Sequence, residues 1–454
     1  MLLSFRINNS YSFKEENCFS LMATREKQHS EHLAILPRQK LKILPVAVLF
    51  GGNAAGKTNF CKVLNSVRNF IINGTLPEAK IPLTPYLLDM QSRSAPSEFE
   101  IRFENGGRVF VYSFSADRHQ VFQEELTECF ATTERKLFSR HGNEYDITDY
   151  LKKLSNSRGQ EILNVISQGT RDNQLFLTNA VFQKQECLRP VYDWFRNNVV
   201  LIAPDSRFNG FDEFLSEKSR LYPMMNQALE QLDTGLSGLH LEDIAFDNIP
   251  LPSMMRDDIR KKLNEGTTWR IDDGFSGNRY VVTLENGEPK AKKLMSKHRL
   301  PDGTVEKFEL TQESDGTRRL IDLLPAFVDI LSGDCQKTYI VDEMDRCLHP
   351  LLLRQLIQCF LGQCSASHRA QLIFTTHNVM LMKQDLLRRD EMWLTERGAS
   401  NCSRIFSFAE YKEIRFDKDI LRSYLDGELG GVPHLTLLPS LWGNDGKGGE
   451  NLGK

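Results

Sequence analysis

Long apolar runs are missing from this chain, and so is a strong excess of charge of either sign. No stretch of its 454 residues approaches the roughly 18 uninterrupted apolar residues of a membrane-spanning helix. The opening MLLSFRINNSYSF turns polar by Ser4 and lacks the apolar core of a secretory leader. A formal net charge of −3 excludes a uniformly basic coat for nucleic acid, although it leaves room for a local patch. The nine cysteines include no C-x-x-C pair. Cys359, Cys364 and His368 lack the usual spacing of a zinc set and read as ordinary thiols beside a histidine. Internal repeats and sustained heptads are absent as well. These absences together predict a protein of the reducing cytoplasm with no membrane contact.

What is present is a change of periodicity along the chain. Leu3, Phe5, Ile7, Phe19 and Leu21 alternate with polar residues, which predicts short antiparallel strands at the start. The run VAVLF (residues 46–50) reads as a buried strand, and Phe60, Val63, Leu64, Val67, Phe70 and Ile71 fall at helical spacing until Asn73-Gly74. Residues 98–115 predict a hairpin about Asn105-Gly106-Gly107, with further strands to about 140. From 145 to 235 the pattern turns helical, and a mixed stretch follows with a short helix near 253–264 and strands near 278–310. A helix from 316 to 331 should kink at Pro325. Strand and helix then alternate (338–341, 350–361, 371–376, 378–388, 391–396), which argues for an α/β fold with a largely parallel sheet. The expected divisions are 1–145 and 300–440 as two halves of one head, 146–299 as a helical and mixed insertion, and 441–454 as a glycine-rich tail too polar to pack.

Chemistry concentrates in four short motifs. GGNAAGKT, residues 51–58, fits G-x-x-x-x-G-K-[ST] between a strand and a helix, the context that distinguishes a phosphate cradle from a chance glycine-rich turn. Gly51, Gly52, Asn53, Ala54, Ala55 and Gly56 would curl backbone N–H groups around phosphates, and Asn59 follows on the helix. Lys57 would place its charge on the β/γ oxygens of ATP, and Thr58 would offer its hydroxyl to Mg²⁺. The strand TYIV ends in Asp342-Glu343, which suits Mg²⁺ binding by Asp342 and activation of a water by Glu343. LIFTT leads to His377, placed to sense the γ-phosphate or the attacking water. ESDGT (313–317) opens a helix with Ser314 and Gly316. It reads either as an ordinary N-cap or as a second anion site that meets the nucleotide of another copy.

These motifs, in this order, resemble the ABC-type ATPase superfamily in its RecF, SMC and OLD branch. The resemblance implies an ABC-ATPase head: a mixed sheet with flanking helices, an N-terminal antiparallel β lobe and an insertion. Residues 51–58 occupy the place of the Walker A loop, 338–343 the Walker B strand, 313–317 the ABC signature, MDRCLHP (344–350) the D-loop and His377 the switch histidine. The signature departs from LSGGQ, with Thr317 where the family has glutamine. Gln91 is the candidate Q-loop residue and would complete the metal site. The blocks LPVAVLFGGNAAGKTN, PVYDWF, ESDGTRRL, DEMDRCLHP and RSYLDGELGGVP resemble more narrowly the AAA-family ATPases of bacterial phage defence, of the RloA and AbiL kind and more distantly AriA of PARIS. That likeness implies catalysis by Glu343, His377 and Lys57, a homodimer closed around ATP or a higher homo-oligomer, and a separate effector with a TOPRIM-like nuclease fold. A RecF-like ATPase that clamps DNA is the alternative. The basic cluster Lys290, Lys292, Lys293, Lys297 and Arg299 reads as solvated lysines on a hairpin or as a phosphate-backbone contact.

Overall fold

The five apolar residues of Val46–Phe50 are all buried, and their neighbours explain why. In the computed structural model, which describes residues 1–155, 159–205, 221–232, 234–265, 268–272, 277–398, 400–411 and 419–431, this strand lies inside a six-stranded sheet. The order is Val199–Ile202, Thr338–Val341, Gln371–Thr375, Val46–Phe50, Met392–Arg397, Ser403–Ser407. All neighbours pair in parallel except the last two, which are antiparallel. A parallel sheet is covered on both faces, which is why its strands read as continuous apolar runs.

Period two sorts those runs between the two covers. Ala47, Leu49, Ile340, Ile373 and Trp393 join one core cluster, with Phe60, Val63, Val67 and Phe70 of the helix Lys57–Asn73. Val46, Val48, Phe50, Val341, Phe374 and Leu394 join another, with the helices Asp315–Leu331 and Pro350–Gln363. Full burial of each large apolar side chain contributes about 1.5–3 kcal/mol. Asp315–Leu331 runs as one helix through Pro325, whose ring is itself buried in the interface.

The first cluster also takes in the expected N-terminal lobe. Leu2–Asn8 pairs antiparallel with both Asn17–Ser20 and Ser97–Asn105, and the sheet continues through Arg108–Ala116, Val121–Cys129, Glu134–His141 and Glu144–Ile147. Buried Gln371 rivets this lobe to the parallel sheet. Its Oε1 accepts from Leu2 N at 2.6 Å and Thr338 Oγ1 at 2.9 Å, and its Nε2 donates to Leu2 O at 2.9 Å and Leu44 O at 3.2 Å.

Residues 146–299 are not one piece. Leu151, Leu163, Phe176, Trp194 and Phe195 pack in the core of the lobe, with Trp194 stacked on Phe103 at 4.2 Å between ring centroids. The helix Arg189–Asp193 runs through the π-turn Trp194–Asn198 into the strand Val199–Ile202, which edges the central sheet where a helical pattern had been expected. Only beyond residue 235 does a separate sheet form. Leu236–Ile244, Glu288–Arg299, Arg279–Glu285 and Thr268–Asp272 lie side by side, and Val305–Glu309 pairs with Glu288–Arg299. The basic cluster lies on Glu288–Arg299, where Lys292 pairs with Asp243 at 3.5 Å, Arg299 with Glu230 at 3.6 Å, and Lys293 with Glu309. The helix expected at 378–388 reduces to the single turn Val379–Leu381, because Gln384 and Asp385 are drawn outward to bond His29 and Arg354. The tail 441–454 lies outside the described residues. Among the described residues, no helix is long and apolar enough to cross a membrane.

Beside the sheet, buried Arg388 binds both oxygens of Asp390 at 2.8 Å and donates to Glu26 O at 3.1 Å. The adjacent Glu391 is fully buried. One oxygen accepts from Arg388 N at 2.8 Å, and Oε1 has no hydrogen-bond partner. Burial pushes its carboxyl up to about 8. The folded state therefore holds a proton here that the unfolded chain releases near the ordinary 4.5, so this contribution to stability is full below that pH and is lost as pH rises toward 8. Glu391→Gln should remove that slope, gaining stability relative to the native chain as pH rises from 5 to 8. Denaturant midpoints of both proteins across that range check it, and parallel curves would count against it.

Candidate functional site

The carboxyl ends of the central strands carry the candidate site. After Val46–Phe50 the chain turns through Gly51 at φ 146°, Ala54 at 59° and Gly56 at 117°. Both glycines have a packing reason besides the phosphate one. A Cβ on Gly51 would lie 2.3 Å from Thr395 O, and one on Gly56 would lie 2.2 Å from Ser403 Oγ. Ser403 Oγ also donates to Ala55 O at 2.7 Å and lies 2.8 Å from Ser12 Oγ, so the last strand and the N-terminal turn buttress the loop from behind. Asn53 and Ala54 are exposed at its crest, Gly52 is half-buried, and Asn59 is half-buried on the first helical turn.

Lys57 is buried, and its Nζ donates to Gly51 O at 2.7 Å and Gly52 O at 3.0 Å. Burial pushes its ammonium down to about 8, while Asp345, Asp342 and Glu343 pull the other way. Thr58 Oγ1 donates to Asp342 Oδ1 at 3.4 Å, bringing together residues at opposite ends of the chain. Thr375 Oγ1 donates to the same carboxylate oxygen at 2.6 Å and accepts from Glu343 N at 2.8 Å, so one hydroxyl orients both acids. Glu343 is half-buried with φ at 49°, a left-handed conformation that a non-glycine residue adopts at a cost of about 1–3 kcal/mol and that often marks a functional turn. The hydroxyl of Thr58 and the carboxylate of Asp342 are the hard oxygen donors that suit Mg²⁺. Asp342 is nearly inaccessible, and among the described residues its carboxylate receives hydrogen bonds only from hydroxyls, which fits a carboxylate kept for a metal.

His377 leaves the next strand with an exposed ring, and its N–H donates to Asp345 Oδ2 at 3.1 Å. Partial burial and then the charge of Lys57 hold its imidazole below the ordinary 6.5, against the pull of Asp345, Glu343 and Asp342. The ring is therefore neutral at pH 7, with one nitrogen free to accept and one to donate.

The helix Asp315–Leu331 is capped by Ser314, whose Oγ accepts from Thr317 N at 3.1 Å and lies 2.8 Å from Thr317 Oγ1. The N-cap reading is therefore correct locally. The tip is also exposed, so it can face another molecule. Gly316 packs on the turn after Glu343, where a Cβ would lie 2.7 Å from Cys347 O. Arg319, on the first turns of the same helix, is buried and reaches Asp342 O at 3.4 Å and Ala203 O at 3.5 Å.

Gln91 sits exposed on the short helix Met90–Ser94, its carbonyl accepting from Ala95 N at 3.1 Å. The strand beside Asp342 is instead Val199–Ile202, whose Ile202 O accepts from Asp342 N at 2.9 Å. Its exit brings Ala203, Pro204 and Asp205 to the site, with Asp205 bonded to Arg346 at 2.6 Å. Sequence reasoning missed Thr375, Asp345, Arg319 and Ser403. The first two stand two residues from recognised motif positions, and Arg319 follows directly on ESDGTR. Ser403 has no sequence signal.

Residues 46–383 match the family described as "AAA domain, putative AbiEii toxin, Type IV TA system". No curated protein matches the sequence. Similar solved structures include the SMC head domain from Thermotoga maritima, at 13% identity and a TM-score of 0.37, covering 89% of this chain and 98% of that one. The SmcHead bound to the C-winged helix domain of ScpA is similar at 12% identity and a TM-score of 0.35, covering 89% of this chain and 97% of that one.

Proposed function

The chain belongs to this AAA-domain family, and we propose on that footing that it is a Mg²⁺-dependent ATPase of ABC type that dimerises around ATP. The observation that carries the reading is the convergence of Thr58, Thr375, Asp342 and Glu343 beside Lys57 at one end of a parallel sheet. Lys57 and the loop N–H groups bind the phosphates of ATP. Thr58 and Asp342 would hold Mg²⁺, which would supply neutralisation of the phosphate charge. Glu343 takes the proton of the attacking water, and His377, neutral and at the rim, hydrogen-bonds the γ-phosphate or that water. The exposed tip at Ser314 and Gly316 seals the nucleotide of a second copy. ATP that binds the closed pair better than the open one shifts the equilibrium by that difference, and hydrolysis reverses it.

The biological reading is a switch in antiphage defence that restrains or releases a separate effector, a nuclease with a TOPRIM-like fold. It is supported by the motif blocks that resemble phage-defence ATPases and by a family description that joins an AAA domain to a toxin system.

A mixing experiment tests the shared pocket. Lys57→Ala and Ser314→Arg should each be inactive alone, for opposite reasons. A 1:1 mixture should regain roughly a quarter of native turnover, since half of the dimers are mixed and each holds one complete site. Phosphate release from the mixture no greater than from the two variants separately would rule out a site built by two copies.

A further inference from the structure

Far from the phosphate loop, the segment HSEH (residues 29–32) brings together a second set of chemically capable side chains. Ser30–His32 forms one 3₁₀ turn with His29 as its N-cap, and residues three apart eclipse on a helix of that pitch. The rings of His29 and His32 therefore lie nearly parallel, 9° apart in plane and 5.5 Å between centroids. Glu31 Oε1 lies 3.7 Å from His29 Nδ1 and 3.8 Å from His32 Nε2. One ligand atom from each of the three falls within 4.8 Å of the others, and among the described residues no other such group of three is found.

Three further features match a metal site. Zinc bonds of about 2.0–2.1 Å in tetrahedral array require donors roughly 3.4 Å apart, close to the 3.7 and 3.8 Å that separate Glu31 Oε1 from the two ring nitrogens, and the three ligand atoms lie within 4.8 Å of one another. His29 Nε2 stands 2.9 Å from Gln384 O, a carbonyl that can only accept. A proton on Nε2 meets that carbonyl and leaves the lone pair on Nδ1, the arrangement by which a backbone carbonyl orients a ligating imidazole; Gln28 Nε2 stands 3.4 Å from the same nitrogen. Finally, His29 is held at φ 48° and ψ 36°, a left-handed conformation that directs both rings to one side of the turn and that no glycine is there to ease.

We propose that His29 Nδ1, Glu31 Oε1 and His32 Nε2 bind one divalent cation of the zinc class, with a water completing the tetrahedron. The neighbours of the turn define its role. Gln384 O accepts from His29, and Arg388 donates to Glu26 O, so the segment is fastened to the loop that follows His377. The cation would stiffen the turn that these two contacts hold against that loop.

The test uses the full chain, stripped with a chelator and dialysed against Zn²⁺ with excess Mg²⁺ and ATP present to occupy the phosphate site. Native protein should retain one more equivalent of Zn²⁺ than His29→Ala/His32→Ala, and Co²⁺ substitution should give tetrahedral visible absorption that the double variant lacks. Glu31→Gln, at a side chain 68% exposed and therefore harmless to folding, should bind Zn²⁺ about tenfold more weakly. Equal metal content in native and double-variant proteins, or an affinity unmoved by Glu31→Gln, would overturn the assignment.

Discussion

Glu343→Gln should hydrolyse ATP about 100- to 10,000-fold more slowly than the native chain while binding it at least as well. The substitution keeps shape and size, so the left-handed backbone at 343 and the N–H bond to Thr375 survive. What is lost, on the proposed mechanism, is acceptance of a proton from water. With hydrolysis blocked, the variant should accumulate as an ATP-loaded dimer or larger assembly. Light scattering with and without ATP measures this. A mass unchanged by ATP, in a variant shown to bind the nucleotide, would remove the dimer switch while leaving the ATPase assignment intact.

Lys57→Ala should abolish ATP-dependent assembly and leave turnover at background. The ammonium interacts with Asp345, Asp342 and Glu343, and without it these three carboxylates face the incoming triphosphate with less compensation. The pH dependence supplies an independent signature. Because burial holds this lysine at about 8 in the free protein, its charge fades as pH rises through that value, and native affinity for ATP should weaken between pH 7 and 9. Bound phosphate raises the pKa again, so the loss is graded. Isothermal titration at the two pH values checks it. The alanine variant should show little binding at either, and no rise in melting temperature with Mg²⁺ and ATP.

Much of the site was legible because its chemistry is local in sequence. A glycine-rich turn between strand and helix, and an apolar strand that ends in two acids, declare themselves within ten residues. The contacts that tie these pieces together are not local. Thr375 orients Asp342 and Glu343 only because Gln371–Thr375 pairs in register with Thr338–Val341, and Ser403 reaches Ala55 across the sheet. The parallel core was readable for the same reason as the motifs: buried strands are apolar throughout. Val199–Ile202 escaped because four apolar residues directly after a helix continue its pattern as readily as they begin a strand. The lost helix at 378–388 shows the converse, local periodicity overridden by bonds to distant His29 and Arg354. Helical segments expected to stand apart as an insertion instead carry Phe176 and Trp194 into the lobe's core, because apolar spacing reveals a buried face without revealing its partner.

The provenance of the strands has a consequence for biosynthesis. Val46–Phe50 leaves the ribosome long before either of its neighbours, Gln371–Thr375 and Met392–Arg397, is translated. For most of elongation the nascent polypeptide therefore carries a fully apolar strand with two unsatisfied edges, the kind of segment that recruits holdase chaperones and seeds aggregates. Nucleotide cannot assist at that stage, because Thr375 and Asp342 do not yet exist beside Thr58. On the proposed function, competence to bind ATP is acquired only once these distant strands have joined Val46–Phe50.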